Sequence, residues 1–387
     1  MFGDKTKLTI RLAIILSCLL SGFSIVNAQS AGNTTSSITG KAIDEQTSAV
    51  GGVTIIAKNP QTNFTREVIT QEDGSYIINQ LPPGNYILTA SGSGFTTQEK
   101  PLELVLGTTT VLNLTMKLGS STDIIEVIAS EAYLEGKTES STNINRSSIT
   151  SLPINRRNFL DFSITAARVL ADRLPVQGAT ATSGLSFNGQ TARFNNITID
   201  GLDNNDLRSG SVRSTFSQEA IQEFQIISDS YSAEFGRALG GIVNIVTRGG
   251  GNEYRGNLFL LNRNDDIATR DPFATIKPPY SQYQFGGAIE GPIKKDHTFF
   301  FTSFERLSIN QNSIVTIADT TVQAANRLGF NLRNDAVPFS VANSVFLARV
   351  DSRISDNNTV WIRYNFGGSY NGALEPFGGL VGESNGG

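Results

Sequence analysis

Cysteine, histidine and charged residues are scarce in this 387-residue chain, and each scarcity excludes a class of protein. One cysteine cannot build a disulfide framework, and one cysteine with one histidine cannot form a structural zinc site. Charged residues make up 17%, and the only basic stretch lies at the extreme N-terminus, so nothing indicates nucleic-acid binding. A histidine-dependent enzyme would rest on His297 alone, in a turn pattern without a spaced partner. We therefore expect no catalysis and no cofactor, but a binding, transport or structural protein.

Long apolar runs are confined to the N-terminus, where they predict an export signal. Lys5, Lys7 and Arg11 precede an apolar stretch over residues 12–26, and Ala28 ends a pattern of small residues typical of a cleavage site. The stretch is shorter than the roughly 20 residues of a transmembrane helix. We expect residues 1–28 to be a cleaved signal peptide. No later apolar run approaches that length, so an exported chain that spans a membrane would cross it with strands.

Short strand patterns separated by turn residues predict a β-sandwich over residues 36–118. Seven patterns lie at about 38–43, 53–57, 66–70, 75–79, 85–90, 102–106 and 110–118. In the last, apolar residues alternate with polar ones, which predicts one buried and one exposed face. The members of the predicted buried face are Leu112, Leu114, Met116 and Leu118.

The same segment carries five short motifs. They are residues 40–44 (GKAID), 52–55 (GVTI), 70–76 (TQEDGSY), 81–86 (LPPGNY) and 94–95 (GF). Together they resemble the carboxypeptidase regulatory-like domain. The resemblance implies a transthyretin-like or Ig-like β-sandwich without peptidase activity, and it favours a spacer role over sugar binding.

Residues 119–130 form a predicted linker with one alternating segment, Asp123, Ile124, Ile125, Glu126, Val127, Ile128 and Ala129. Polar stretches flank the segment, and no partner strand is evident nearby. A strand with free N–H and C=O groups is a template for the sheet edge of another chain. The segment could equally be one more strand of the sandwich or of the next domain, and the residues alone leave both interpretations open.

Residues 131–250 carry a long, ordered series of motifs. They are 152–159 (LPINRRNF), 187–190 (FNGQ), 195–205 (NNITIDGLDNN), 220–224 (AIQEF), 231–237 (YSAEFGR) and 240–250 (GGIVNIVTRGG). The series resembles the α+β plug domain of TonB-dependent outer-membrane receptors of the Oar-like variety. The plug residues that it marks are Asn188, Gly189, Asp200, Gly201, Glu223, Phe224, Glu234, Phe235, Gly236, Arg237, Asn244 and Thr247. By the same resemblance Asp123–Ala129 falls at the position of the TonB box, where TonB would bind by strand addition.

One acidic loop in this region suggests a metal site only weakly. Asp200, Asp203, Asn205 and Asp206 could supply oxygen ligands to calcium. The spacing of an EF-hand is absent, however, and loops rich in Asp and Asn more often serve their own turns. We expect no bound metal.

From residue 251 onward the strand patterns lengthen and keep the alternation of apolar with polar residues. The apolar sets are Tyr283, Phe285, Gly287 and Ile289, then Phe346, Ala348, Val350 and Ile354, then Val360, Ile362, Tyr364 and Phe366. Such segments of about 10 residues are typical of a transmembrane β-barrel, although a soluble sandwich would show the same alternation. Residues 252–259 (NEYRGNLF), 284–287 (QFGG) and 298–305 (TFFFTSFE) resemble the opening barrel strands of the same receptors, which favours the barrel.

Residues 251–387 hold about five such strands, too few to close a barrel. An open edge in a bilayer leaves backbone groups unpaired at several kcal/mol each. We therefore expect the chain to be the N-terminal portion of a longer protein or the product of a broken gene, and not to insert alone. Stable, heat-modifiable insertion of this chain into liposomes would contradict that expectation.

The sequence thus predicts a mainly β protein with a sandwich, an α+β plug domain and the first strands of an incomplete transmembrane β-barrel. The predicted function is TonB-dependent uptake across the outer membrane, with the N-terminal domain in the periplasm. Its partners would be TonB, outer-membrane lipid and an unidentified ligand, for which a glycan and a peptide are the candidates. The alternative is a secreted or surface β-sandwich protein that binds carbohydrate or protein.

Overall fold

The computed structural model describes most of the chain between residues 34 and 372. The described residues are 34–119, 124–126, 133–134, 139–152, 157–171, 184–206, 212–232, 235–270, 277, 279–315, 317–330, 335–355 and 358–372. They lie in one compact unit, and the fold is mainly β, as the sequence predicts. The predicted signal peptide lies outside them. None of the helices that the structure describes is long and apolar enough to cross a bilayer.

Residues 34–119 fold as a two-sheet sandwich, called the N-terminal domain below. Its strands are β1 (Ser36–Asp44), β2 (Thr54–Lys58), β3 (Thr65–Ile69), β4 (Ser75–Leu81), β5 (Gly84–Ser91), β6 (Thr97–Leu104), β7 (Thr109–Val111) and β8 (Leu114–Met116). One sheet has the order β3-β2-β5-β6, and the other has the order β7-β1-β4 with β8 also on β1. One apolar cluster fills the space between the sheets, and Ile38, Ile55 and Ile78 are among its buried members.

The single strand predicted at 110–118 is wrong, because the structure divides it into β7 and β8. The first pairs in parallel with residues 37–39 of β1, and the second with residues 42–44. Between them the Lys41 N–H donates to the side-chain oxygen of Asn113 at 3.0 Å, so a polar side chain interrupts the ladder of main-chain bonds. Leu112, Leu114 and Met116 are buried as predicted, whereas Leu118 lies beyond the strand and is exposed.

Two short strands after the N-terminal domain attach to its sheets. β9 (Ile124–Glu126) is a parallel neighbour of β6, with Ile125 opposite Gln98. β10 (Tyr133–Leu134) pairs antiparallel with β7. The sequence shows no obvious partner in the neighbourhood of residues 123–129, and the structure pairs β9 with β6 of the N-terminal domain. Of the two open interpretations, the position of β9 agrees with an additional strand of the sandwich. Asp123, Val127, Ile128 and Ala129 lie outside the described residues.

Residues between 139 and 247 form a second domain, called the middle domain. Its strands are β11 (Ser140–Ile144), β12 (Val169–Ala171), β13 (Leu185–Phe187), β14 (Asn196–Ile199), β15 (Leu202–Asp203), β16 (Ile221–Asp229) and β17 (Ile242–Thr247). Five of them form a mixed sheet of order β11-β16-β17-β14-β15, and β12 pairs with β13. Helix α1 (Arg146–Ser151) begins at Asn145, whose side chain accepts a hydrogen bond from the Ser148 N–H. The aromatic residues Phe159, Phe162, Phe187, Phe216 and Phe224 are buried in the core of this domain.

The last five strands form one antiparallel meander, called the C-terminal sheet. They are β18 (Arg255–Asn264), β19 (Tyr280–Lys294), β20 (Thr298–Val315), β21 (Asp335–Ser355) and β22 (Asn358–Gly372), paired in chain order. Helix α2 (Asp319–Arg327), which the sequence does not predict, lies between β20 and β21. The number of strands agrees with the predicted beginning of a barrel.

Exposure divides the C-terminal sheet into an outer and an inner face. In β19, Phe285 and Ile289 are 44% and 49% exposed, while Gln284 is 2% exposed. In β20, whose faces the sequence does not settle, Phe301 and Glu305 point inward and are buried against the middle domain. An apolar face left open and a polar face covered are the reverse of a soluble sheet. This arrangement is typical of a strand that meets lipid outside and a polar interior inside.

Candidate functional site

Asp200 lies at the centre of a buried charge cluster between the middle domain and the C-terminal sheet. It begins the turn from β14 to β15 with a φ of 49°, and Gly201 follows with a φ of 78°. Asp tolerates this left-handed region better than most residues. Its carboxylate accepts hydrogen bonds from the N–H of Thr247 at 2.8 Å and from the hydroxyl of Thr247 at 2.6 Å. The turn and the neighbouring strand β17 therefore fix the position of the carboxylate.

Two arginines of the C-terminal sheet complete this cluster. Arg363 of β22 donates to the Asp200 carboxylate, and Arg349 of β21 lies 3.7 Å from it. Arg349 also donates to the carbonyl oxygen of Thr247 at 3.0 Å and to Asp351 at 2.7 Å. The two arginines and two aspartates make the cluster neutral. Because the Asp200 side chain is only 5% exposed, salt screens its pairing little.

Glu219 is the centre of a second cluster. It lies in a short 3₁₀ helix, Gln218–Ala220, and accepts hydrogen bonds from Arg146 of α1 and from Arg157, each at 2.8 Å. Burial alone would raise the pKa of Glu219, but its bonds and ion pairs with the two arginines outweigh that effect. They hold the pKa below its usual value, so the carboxylate is ionised at neutral pH.

Further contacts connect this second cluster to the C-terminal sheet. They are the ion pair Arg248–Glu290 at 2.7 Å, the hydrogen bond Ser217–Glu305 at 2.7 Å, and the Arg157 guanidinium 3.9 Å from the centre of the Phe259 ring. The apolar side chains of the sheet that join the core of the middle domain are Ala288, Phe301 and Leu347. A cavity of about 330 Å³ lies among the charged groups. The junction thus combines charged and polar contacts with a few buried apolar side chains of the sheet.

The predicted plug residues of the first turns serve the architecture of the middle domain. Asn188 and Gly189 form the turn after β13, and the Asn188 side chain donates to the carbonyl oxygen of Ser228 at 2.6 Å. Phe235 is buried beside Ile227, and the Gly236 carbonyl accepts a hydrogen bond at 2.8 Å from Asn196. Glu234 lies outside the described residues.

The predicted residues of the central strands divide between the core and two interfaces. Phe224 on β16 packs against Phe162, with ring centres 5.6 Å apart. Asn244 on β17 accepts a hydrogen bond from the Thr198 hydroxyl at 3.0 Å inside the sheet. Thr247 contacts the Asp200 cluster, whereas Glu223 faces the N-terminal domain. The structure therefore brings Asp200 and Thr247 together and places Glu223 at a different boundary.

The loop considered for calcium serves its own turn. One carboxylate oxygen of Asp203 accepts the N–H of Asn205 at 2.8 Å, and the other accepts a bond from Arg237 at 2.9 Å. Asp200 is engaged by Thr247 and Arg363. In the part of the chain that the structure describes, no group of three or more acidic, histidine or cysteine side chains could hold a metal ion.

Sequence reasoning missed most of the charged residues at the junction. They are Arg146, Arg157, Glu219 and Arg248 of the middle domain and Glu290, Glu305, Arg349 and Arg363 of the C-terminal sheet. A signal existed for Glu290, Arg349 and Arg363, because each lies on the polar face of a strand whose other face is apolar, whereas the sequence does not settle the faces of β20, which carries Glu305. The alternation of a strand does not indicate which residue of another domain lies opposite.

Comparisons with known proteins agree with this architecture. Residues 37–117 match the family of carboxypeptidase regulatory-like domains, and residues 246–341 match a family of outer membrane β-barrel domains. The chain is also similar to the TonB-dependent transporter Oar of Myxococcus xanthus, with 31% identity over 281 residues. The alignment covers 70% of this chain and 26% of that protein, so the chain spans about a quarter of the length of this curated relative.

Two solved structures show a weaker likeness. The outer membrane transporter YddB of Escherichia coli matches with a TM-score of 0.47 and 14% identity, over 60% of this chain and 33% of that one. The ferric enterobactin receptor PfeA of Pseudomonas aeruginosa matches with a TM-score of 0.43 and 17% identity, over 64% and 35% of the two chains.

The inward-facing polar residues of β19 and the match of residues 246–341 are the features of this chain that agree with an outer-membrane β-barrel. The outer membrane is its compartment, as the sequence predicts. The similarity to the TonB-dependent transporter Oar agrees with the resemblance to Oar-like receptors seen in the sequence. The curated relative is a transporter rather than an enzyme, in agreement with the expectation of no catalysis.

Proposed function

We propose that this chain belongs to a TonB-dependent transporter that takes up an unidentified ligand across the outer membrane. The middle domain acts as the plug, and the C-terminal sheet is the first part of the barrel wall around it. The observation that carries the proposal is the neutral cluster of Asp200, Asp351, Arg349 and Arg363 between them. Pairing holds the plug at rest, and water entering an opened passage would solvate the separated charges and limit the cost of displacement.

We propose Asp123–Ala129 as the contact for TonB. The described part of this segment, β9, lies at the end of the sheet β3-β2-β5-β6-β9, and no other described strand pairs with its outer edge. Such an edge presents main-chain N–H and C=O groups to an extended strand of another protein. TonB, energised from the inner membrane, would add a strand there and pull. Between the segment and the middle domain lies β10, which pairs with β7 of the N-terminal domain, so tension on the segment would reach the N-terminal domain first and the plug after it.

A proline at Val127 is expected to abolish capture of the full-length protein by the C-terminal domain of TonB. Proline lacks the N–H that a main-chain ladder requires at that position. Val127→Ala is the matched control, because it shortens the side chain and keeps the N–H, and its capture should persist. The measurement is a pull-down from detergent-solubilised outer membranes. Equal capture of the proline variant and the wild type would contradict the assignment of Asp123–Ala129.

Ligand selection is assigned to the plug surface and loops farthest from the N-terminal domain. The longest loop of the C-terminal sheet connects β20 to β21, and it carries α2. Membrane fractionation separates this proposal from the secreted alternative, since a secreted module would leave with the medium.

A further inference from the structure

In the described part of the chain, hydrogen bonds connect the N-terminal domain to its neighbours in two regions, the first of which also includes a bond from Asn145 to Glu103 at 2.9 Å. At the first, the loop 105–107 that follows β6 meets the middle domain, and Leu106 is fully buried there. At the second, the loop 59–63 that follows β2 meets the start of the C-terminal sheet and the turn between β19 and β20. The N-terminal domain therefore bridges the plug and the wall from one side of their junction.

At the first contact, side chains of the middle domain surround the main chain of residues 106 and 107. The Leu106 N–H donates to a carboxylate oxygen of Glu223 at 3.0 Å, and its carbonyl accepts the side-chain N–H of Asn143 at 2.9 Å. Asn143 also donates to the Glu223 carboxylate at 3.4 Å. Gly107 has a φ of 65°, and a Cβ there would lie 2.4 Å from the side-chain oxygen of Gln225. Both main-chain groups of one residue are thus matched by side chains of the middle domain.

The second contact is polar and open to solvent. The Asn252 N–H donates to the Gln61 carbonyl at 2.9 Å, and the Asn63 side chain donates to Asp296 at 2.5 Å. Arg353 of β21 donates to the Asn63 carbonyl at 3.4 Å. Exposed hydrogen bonds such as these add little stability, because water replaces them when they break. Attachment of the N-terminal domain therefore depends on the first contact.

Glu223 makes the first contact conditional on its charge. The residue is 4% exposed, and burial, with a smaller contribution from Glu103, raises its pKa to about 7 despite the bonds from Leu106 and Asn143. Glu223 lines a cavity of about 600 Å³. The other charged residues that line this cavity are Glu103 of β6, Arg146 of α1, Arg248 after β17, Glu253, Arg255 of β18 and Glu290 of β19. Undocking would expose the carboxylate to water and return its pKa to the ordinary range near 4.5.

We propose that the N-terminal domain is a releasable clasp, meaning that it reversibly fastens the plug to the turn between β19 and β20 of the C-terminal sheet. The Glu223–Leu106 hydrogen bond is the contact whose loss releases it. The clasp rests on the proposed function only in the roles given to the two parts that it joins. Leu106, which makes this hydrogen bond, lies directly after β6, the strand with which β9 pairs. A pull on Asp123–Ala129 would therefore act on the strand that leads to Leu106.

The sign of the pH dependence follows from the buried carboxyl group. Below about pH 4.5 Glu223 is protonated in both states, and the clasp is at its tightest. Between about pH 5 and 7 the docked form keeps a proton that the released form loses, so docking weakens by up to about tenfold per pH unit. Above pH 7 both forms are ionised, and docking is weakest.

Distances between two spin labels test the clasp without TonB. The labels go on Glu72→Cys in the turn between β3 and β4 and on Ser151→Cys in α1, both exposed, in full-length protein that lacks Cys18. At pH 5.5 we expect one distance, and by pH 8 we expect a second, longer population. Glu223→Gln keeps an oxygen that can accept the Leu106 N–H but cannot ionise, so it should hold the short distance at both pH values. Glu67→Gln, which neutralises an exposed acidic residue of the N-terminal domain, should behave as the wild type does.

A second variant tests the clasp without changing position 223, so that its result does not depend on how a substitution at Glu223 affects folding. Asn143→Ala removes the donor shared by the Leu106 carbonyl and Glu223, and it should show the longer population already at pH 5.5. Wild-type distances that do not change between pH 5.5 and 8, or a Glu223→Gln variant that opens as the wild type does, would overturn the clasp. Failure of the Val127 experiment would instead remove the TonB contact and leave these distances unaffected.

Discussion

Replacing Asp200 with alanine is expected to loosen the plug from the barrel wall and to lower the stability of the whole protein by about 3–5 kcal/mol. The change removes the acceptor for both Thr247 donors and for Arg363, and it leaves Arg349 and Arg363 buried with Asp351 as their remaining acid. Breaking one member of a buried ion pair costs more than the pair contributes, because the remaining charge is uncompensated. The measurement is the thermal unfolding midpoint of the detergent-solubilised protein, together with the rate at which a protease cleaves the plug.

Asp203→Ala is the matched control for this experiment. It is the same substitution three positions later, but Asp203 pairs with Arg237 at the surface, where an ion pair contributes less than about 1 kcal/mol. Asp200→Asn separates charge from backbone conformation, since Asn also tolerates a positive φ and can still accept from Thr247. Equal losses for Asp200→Ala and Asp203→Ala would show that the cluster does not hold the plug.

Arginine at Leu260 is expected to prevent assembly in the outer membrane, whereas arginine at Leu261 is expected to be tolerated. Leu260 is 71% exposed on the outer face of β18, opposite Phe285. A charge on the lipid face costs about 2–4 kcal/mol near the middle of the bilayer. Leu261 lies opposite Gln284, whose side chain donates to Glu305 at 2.6 Å, so an arginine there meets polar and acidic groups.

Heat-modifiable migration and the amount of full-length protein in the outer membrane report the outcome for both arginine variants. The two substitutions are identical and adjacent, so they differ only in the face of the strand that they change. Normal assembly with arginine at Leu260 and failure with arginine at Leu261 would invert the two faces. Equal tolerance of both would indicate that neither face meets lipid.

Most strands of the N-terminal domain could be predicted, because its turns are marked by Gly and Pro and its strands alternate, but the pattern at 102–106 overlaps β6 (Thr97–Leu104) only at its end. The prediction failed where one side chain acts in place of the main chain. Asn113 receives the Lys41 N–H, and no periodic pattern distinguishes that role from an ordinary outward residue. The pairing of β9 with β6 was missed for a related reason, since parallel pairing with a distant strand leaves no mark in the sequence between them.

The barrel faces were readable only where one residue type alternates with another. In β20 three consecutive residues, Phe299, Phe300 and Phe301, are aromatic, so the sequence gives no direction. Contact with the plug decides it, because Phe301 joins the core of the middle domain. Helix α2 has no buried residue in the structure, and its only apolar residues are Val322, Ala324 and Ala325, too few for a periodic pattern that would predict it.

Only one side of the charge cluster, the turn at Asp200, could be predicted from the sequence. Asp200 and Gly201 form a recognisable turn, but their partner Arg363 lies 163 positions later in the chain. Local patterns can place each residue on a face of its own strand, whereas the pairing of the faces depends on how the plug sits against the sheet. The same limit applies to Glu223 and Leu106, which belong to different domains and are 117 positions apart.

The strands β20 and β21, at 18 and 21 residues, are about twice as long as the 9–11 residues with which a tilted strand crosses a bilayer. In the proposed arrangement, with the N-terminal domain in the periplasm, their surplus would rise on the opposite side, above the lipid headgroups, where α2 connects the two strands. A bacteriophage or an antibody that approaches the cell would therefore touch this raised ridge before it reached any residue within the hydrocarbon layer.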